Sequence, residues 1–345
     1  MTNEEKYLAN VKWFKEAKFG MMVHFGLYSV LGGEYKGVRM PTIGEWAQSY
    51  FRIPNKEYEK LADCFNPIYF NADEWVQTAK DAGMEYFVVT SKHHDGFALF
   101  DSEWDNYNSV KGSPFKRDII AELAEACYKK NMKFGLYYSQ ELDWHEEHGG
   151  GVKGGYQYYG KMAWTNDWDF PDNSKKNFDI CLQGKIKTQI KELLTNYGEI
   201  ATFWCDTPFD LTEDQSMQIY NLIREYQPAC LVNSRIGNGV GDYRSCGDNG
   251  INFEKGKSEE KPEELTARSK EYSVGKRTGL YECPATLNKT WGYKPFDNEW
   301  KSAETLREIK ERLNSQGINY LLNVGPDYLG RIPAPSVDIL KEMKE

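Results

Sequence analysis

The chain lacks the marks of several common function classes. No GxGxxG or GxxxxGK[ST] element opens any helical stretch, so nothing signals a dinucleotide or nucleotide-phosphate crevice. The seven cysteines (64, 127, 181, 205, 230, 246 and 283) are odd in number and show no CxxC spacing, which argues against a zinc knuckle or a disulfide framework and for a reducing compartment. Positive charge is short: 43 Lys and Arg against 52 Asp and Glu leave a net charge of -9, a poor match for nucleic acid or an anionic membrane surface. No run approaches the ~20 apolar residues of a membrane span. The first ten residues, MTNEEKYLAN, are polar and acidic with no apolar h-region, so the expected location is cytoplasmic, or secreted or periplasmic if a leader has been removed. No low-complexity tract or linker interrupts the chain, and residues 1–345 are expected to form a single domain.

Aromatic side chains, by contrast, are plentiful. They make up 14% of the chain, with 10 Trp and 23 Tyr. An apolar face with a polar edge suits a neutral small molecule such as a sugar, and also the rim of a large core.

The run ATFWCD, residues 201 to 206, joins five residues that favour burial to a carboxylate, the pattern of a core strand that delivers an acid to its C-terminal end. The same Asp could instead cap the turn that follows. Elsewhere apolar runs alternate with capped helical stretches. FGMMVHFGLYSV, MEYFVV, KFGLYYS, CLVNSR, GLYECPATL and NYLLNVGP read as further strands, giving about seven. Helices are expected over Asn71 to Gly83, Asp118 to Asn131, Phe178 to Tyr197, Glu213 to Tyr226 and Ala303 to Asn314, with another from Val337. The charged stretch 254–271 reads as an exposed insertion. Such alternation implies a parallel sheet covered by helices, and a (β/α)8-like barrel is preferred over an open doubly wound sheet.

A barrel gathers its strand ends at one mouth. Those ends carry His24, His93, His94, Asp95, Tyr138, Ser139, Trp204, Asp206, Asn233, Arg235 and Glu282. His24, His93 and Asp206 could form a metal triad, but no HExxH or HxH spacing supports one. Neutral imidazoles binding hydroxyl groups explain the histidines as well. Adjacent strand residues face opposite ways, so His93 and His94 should not both look inward from a regular strand. A retaining glycosidase needs two carboxyl groups about 5 Å apart. Asp206 would serve as nucleophile and Glu282, lifted in pKa by an aromatic and poorly hydrated setting, as acid/base.

The segments FGMMVHFGLYSV, EW at 45–46, SKHHDGF, GLYYS, FWCD, VNSR, YECPATLNKTWGY and NYLLNVGP, in that order, resemble the α-L-fucosidases of glycoside hydrolase family 29. The resemblance covers about residues 11 to 345 and implies a catalytic barrel. It also implies exo-acting release of terminal α-L-fucose from fucosylated glycans, with retention through a covalent fucosyl-enzyme and no metal or cofactor. Matching positions make Asp206 the nucleophile. They place His24, Glu45, Trp46, His93, His94, Tyr138 and Arg235 around the fucose hydroxyls, with Trp204 and Trp291 on its apolar face. Where many family members carry a Glu after a DY motif, this chain reads GDYRSCGDN. The acid/base is therefore expected first at Glu282, second at Asp248 and third at Glu254. A C-terminal β-sandwich common in the family has no counterpart here, so the chain either lacks it or is a piece of a longer one. Two other readings remain: a retaining glycosidase for a related sugar such as α-L-galactose, and a non-catalytic fucose-binding protein.

Overall fold

The computed structural model describes residues 1–150, 157–158, 162–257 and 270–344. The 254–271 stretch lies mostly outside the described residues, as does part of the 146–175 loop.

Eight parallel strands form one sheet: β1 (Phe19–Val23), β2 (Tyr86–Lys92), β3 (Lys133–Ser139), β4 (Thr202–Asp206), β5 (Leu231–Val232), β6 (Arg244–Ser245), β7 (Tyr281–Thr286) and β8 (Ile318–Val324). Each pairs with its neighbour in sequence, and β8 pairs with β1. The remaining seam, between β5 and β6, is joined by a parallel bridge from Asn233 to Tyr243. There the Ser234 N–H donates to the Tyr243 carbonyl at 2.8 Å and the Asp242 N–H to the Val232 carbonyl at 2.6 Å. The sheet thus closes into the expected (β/α)8-type barrel.

Its helices are α1 (Asn3–Ala17), α2 (Ala72–Asp81), α3 (Ile119–Lys129), α4 (Lys187–Asn196), α5 (Glu213–Tyr226), α6 (Glu271–Thr278), α7 (Ala303–Ser315) and α8 (Ala334–Glu342). Their starts follow from local chemistry. Asn71 accepts from the Asp73 and Glu74 amides, Asp118 from that of Ala121, and Thr212 with Gln215 forms a capping box. No helix among the described residues is long and apolar enough to cross a membrane.

The sequence suggested about seven strands. The eighth is β6, two residues with no apolar run of their own. CLVNSR contributes only Leu231–Val232 as strand, because the chain turns at Ser234–Ile236 to make the seam.

Two cores divide the strand residues by parity. Met21, Val23, Phe87, Val89, Leu136, Tyr138, Phe203 and Cys205 point outward against the helices. Met22, Tyr86, Val88, Tyr137, Trp204 and Leu231 point into the barrel, joined from below by Phe14 of α1. The Asn10 amide of α1 donates to the Ala201 and Ala229 carbonyls at 2.9 and 2.8 Å, securing this helix across the N-terminal end of the barrel. Gly20 is needed inside: a Cβ there would lie 2.5 Å from the Tyr86 ring, which fills that layer.

Candidate active site

At the C-terminal ends of the strands lies a cavity of about 480 Å³. Its walls contain His24 after β1, His93 and His94 after β2, Tyr137 of β3, Trp204 and Asp206 of β4, and Arg235 after β5. Asp248 and Trp291 come from the loops after β6 and β7, and Glu45 and Trp46 from the long connection between β1 and α2.

Asp206 ends β4 facing inward, two residues after Trp204 and so with the same parity. One carboxylate oxygen accepts from the Tyr137 hydroxyl at 2.7 Å; the other accepts from Arg235 Nη1 at 2.9 Å. Burial alone would raise its pKa, but the Arg235 guanidinium, His94 and the Tyr137 hydroxyl outweigh it and hold the carboxyl down at about 2. The next residue, Thr207, adopts φ +61°, a strained conformation for a β-branched side chain. In that turn its own amide donates to the Asp206 carboxylate at 2.8 Å.

Arg235 joins the two acids of the cavity. Its other terminal nitrogen contacts the Asp248 carboxylate, and its guanidinium lies 4.9 Å from the centre of the Trp204 ring. Two carboxylates on the two ends of one guanidinium stand on the order of 5 Å apart, the spacing of a retaining pair. An Asp reaches this far because its loop is drawn in. The Cys246 amide donates to the Glu282 carbonyl at 2.8 Å and the Asn249 amide to the Pro284 carbonyl at 3.0 Å, while Gly247 turns with φ +88°.

Glu282 is elsewhere. It does not line the cavity, and its side chain is fully buried inside the barrel. One oxygen accepts from Trp204 Nε1 at 2.8 Å and the other from the Tyr86 hydroxyl at 2.9 Å. Burial lifts its pKa to about 7, as expected, but a proton there has no path to a bound ligand. Glu254, the third choice, is exposed and pairs with Lys257.

The histidines are neutral hydrogen-bonding groups. Burial lowers the pKa of His24 to about 4, that of His94 to about 3, and that of His93 well below the usual value. His24 Nδ1 lies 2.6 Å from the Asn323 side-chain oxygen, whose own amide donates to the Trp291 carbonyl at 2.8 Å. This network assigns the proton to Nδ1 and leaves Nε2 as an acceptor. His94 Nδ1 lies 2.7 Å from the Ser139 hydroxyl, which itself donates to the Leu142 carbonyl, so the same tautomer follows. His93 and His94 both reach the cavity because β2 ends at Lys92; they sit in the turn beyond, with ring centres 3.9 Å apart, and strand alternation does not apply.

Glu45 is buried, and burial raises its pKa to about 7; it accepts from the Gly292 amide at 2.8 Å. Trp46 packs edge-on against His94, Trp144 and Trp164. Trp164, Met22, Ile43 and Thr207 complete the lining and had no distinct signal in the sequence.

Tyr138 is not in the cavity. It faces outward, its hydroxyl donating to Gln189 of α4 at 2.8 Å and its ring lying 4.5 Å from Lys92 Nζ. Its neighbour Tyr137 takes the inward place. Knowledge of the register between β3 and β4, which pairs Tyr137 with Trp204, would have found it. The proposed triad of His24, His93 and Asp206 does not converge as a metal site. Among the described residues the only group of three that does is Asp105, His145 and Glu146, outside this cavity and with Lys185 Nζ 3.4 Å from Glu146.

The comparisons with known proteins agree with this chemistry. The family described as alpha-L-fucosidase matches residues 2–345. The alpha-L-fucosidase AlfC from Lactobacillus casei, solved in complex with its alpha-L-fucose product, is 51% identical; the match covers 97% of each chain with a TM-score of 0.86. A crystal structure of an alpha-L-fucosidase from Vibrio sp. strain EJY3 is 34% identical, with a TM-score of 0.83, 97% of this chain covered and 54% of the other. Among curated proteins, alpha-L-fucosidase 1 of Arabidopsis thaliana is 31% identical over 81% of this chain, and tissue alpha-L-fucosidase of Mus musculus 29% identical over 93%. The chain spans 52% and 66% of the lengths of those two relatives.

Proposed function

This chain belongs to the alpha-L-fucosidase family, and from that premise we propose that it is an exo-acting retaining hydrolase of terminal α-L-fucosides, working as a single catalytic barrel with Asp206 as nucleophile and Asp248 as acid/base. The observation that carries the reading is the pair of carboxylates bridged by Arg235 in one cavity, one of them held ionised. The cavity volume of about 480 Å³ suits a single sugar. His24 and His94 present acceptor nitrogens to fucose hydroxyls, and Trp204 and Trp291 offer apolar faces to the ring edge and C6 methyl.

In the first step the Asp206 carboxylate attacks the anomeric carbon while the Asp248 carboxyl gives its proton to the glycosidic oxygen. The C1–O bond breaks, a neutral alcohol leaves, and an ester joins fucose to Asp206. Asp248, now a carboxylate, takes a proton from water, which attacks C1, breaks the ester and releases fucose with retained configuration. Tyr137 and Arg235 spread the charge that returns to Asp206. Asp248 gives up its ion pair with Arg235 whenever it carries the proton, which leaves the guanidinium to Asp206 alone. The seven cysteines are all free thiols, which fits a reducing, cytoplasmic setting.

The test is hydrolysis of an aryl α-L-fucoside followed by proton NMR. The first-formed product should be α-L-fucose, and a 2-fluoro fucoside should label Asp206. First formation of the β-anomer, or no fucose from any aryl or oligosaccharide fucoside, would overturn the proposal.

A further inference from the structure

A second hollow opens directly beside the first. It is a cleft of about 1,370 Å³, lined by Arg39–Ile43 on one side, by Asp248 and Asn249 at its inner end, and by Lys289, Trp291, Lys294, Phe296, Asp297 and Glu299 on the other. Ile43, Asp248 and Trp291 belong to both hollows, but Asp206 belongs only to the inner one. This division has a chemical meaning. A nucleophile and an acid act at opposite ends of the breaking bond, so the leaving oxygen sits on the acid's side. What leaves must go where Asp248 faces and Asp206 does not.

We infer that this cleft is the binding site for the leaving-group saccharide, with Arg39, Lys289 and Phe296 selecting among substrates that present the same terminal fucose. The inference rests on the α-L-fucosidase reading and on Asp248 as its acid. The walls define the class of ligand. Arg39 lies 4.9 Å from the Phe296 ring centre and 3.3 Å from Glu34, and Lys289 lies 3.4 Å from Glu299. Asp297 accepts from the amides of Lys289 and Glu299 at 3.0 and 3.2 Å. Each rim cation is thus met by a carboxylate, and the cleft suits an uncharged, hydroxyl-bearing sugar held by long polar side chains around an aromatic floor. Its size leaves room for more than one sugar residue beyond the fucose. Arg39 stands on a short hairpin, Glu34–Tyr35 with Val38–Arg39, between two elements that build the inner cavity, so hairpin and fucose pocket form a continuous wall.

The experiment compares two substrates in the full chain. α-L-Fucosyl fluoride carries a leaving group of one atom and needs only the inner cavity; a fucosyl-N-acetylglucosamine disaccharide needs both. In Arg39→Ala and Lys289→Ala, both at exposed positions, the kcat/KM for the disaccharide relative to that for the fluoride should fall about fivefold or more. Phe296→Ala should change the same ratio by at least as much, with thermal melting as a check on its fold. A ratio that moves less than this in all three variants overturns the cleft as the leaving-group site. A wild-type chain inert on both substrates overturns the function instead, so the two failures are distinct.

Discussion

The barrel interior holds two buried carboxylates with opposite fates. Asp206 and Glu282 are linked through the Trp204 side chain, which lies two residues before the one and donates its indole N–H to the other. Asp206 faces a guanidinium and is held down at about 2; Glu282 faces only neutral donors and is lifted to about 7. Burial raises both, and the partner decides the outcome. A pKa near neutrality is what an acid/base catalyst requires, yet the group that has it is sealed behind an indole and a phenol. The carboxylate able to deliver a proton, Asp248, sits in a loop at the cavity wall. Geometry comes before pKa in identifying a catalytic group.

That contrast can be broken experimentally. The largest effect belongs to Asp206: the Asp206→Ala variant should lose roughly ten-thousandfold or more in kcat, measured on an aryl α-L-fucoside, because no ester can form. Next, Asp248→Ala should lose about 10² to 10⁴ in kcat/KM on a disaccharide and less on an activated aryl fucoside, with azide restoring turnover as the β-fucosyl azide. If Glu282→Ala rather than Asp248→Ala shows azide rescue, the assignment is reversed.

A smaller effect separates the two tyrosines of β3. Tyr137→Phe removes the hydroxyl that steadies Asp206 and should lower kcat about tenfold. Tyr138→Phe should leave kcat/KM unchanged and cost about 1 kcal/mol of stability through its lost bond to Gln189, read by urea unfolding.

The smallest effect sharpens the role of Glu282. Its pKa in the folded protein, near 7, lies above the ordinary 4.5, so between those values the folded chain holds a proton that the unfolded chain has released. Stability contributed by this group therefore falls as pH rises from about 4.5 to about 7, by at most about 1.4 kcal/mol per pH unit. In Glu282→Gln the amide oxygen can accept from Trp204 and the amide nitrogen can donate to the Tyr86 oxygen. Its stability-pH curve should therefore lack that fall, with kcat little changed. Identical curves for the wild type and the variant would show that the proton is not bound there.

Much of the site was legible because strand ends are legible. His24, His93, His94, Trp204, Asp206 and Arg235 each stand at the end of an apolar run or in the turn just beyond, and all reach the cavity. Glu45, Trp46 and Trp291 came only through the ordered motifs, since long connections show no period that would place them. The errors have a common origin. Tyr138 and Tyr137 differ by one position, and a slip of one residue turns a side chain from the core of the barrel to its outer layer. Glu282 ends a run as Asp206 does, but β7 continues inward-facing past it to Thr286, so Glu282 lies deep in the barrel rather than at its mouth.

The sequence by itself determined the alternation of strands and helices, the carboxylate that ends β4 and, through the order of its motifs, the family. Only the tertiary structure decided which of two tyrosines supports that carboxylate, which acid stands beside it and where the leaving sugar goes. The physical reason is that hydrophobic runs and caps are properties of a single segment, written in neighbouring residues. Register between strands, depth within a barrel and the reach of Arg235 between Asp206 and Asp248 are set by contacts among segments far apart in the chain.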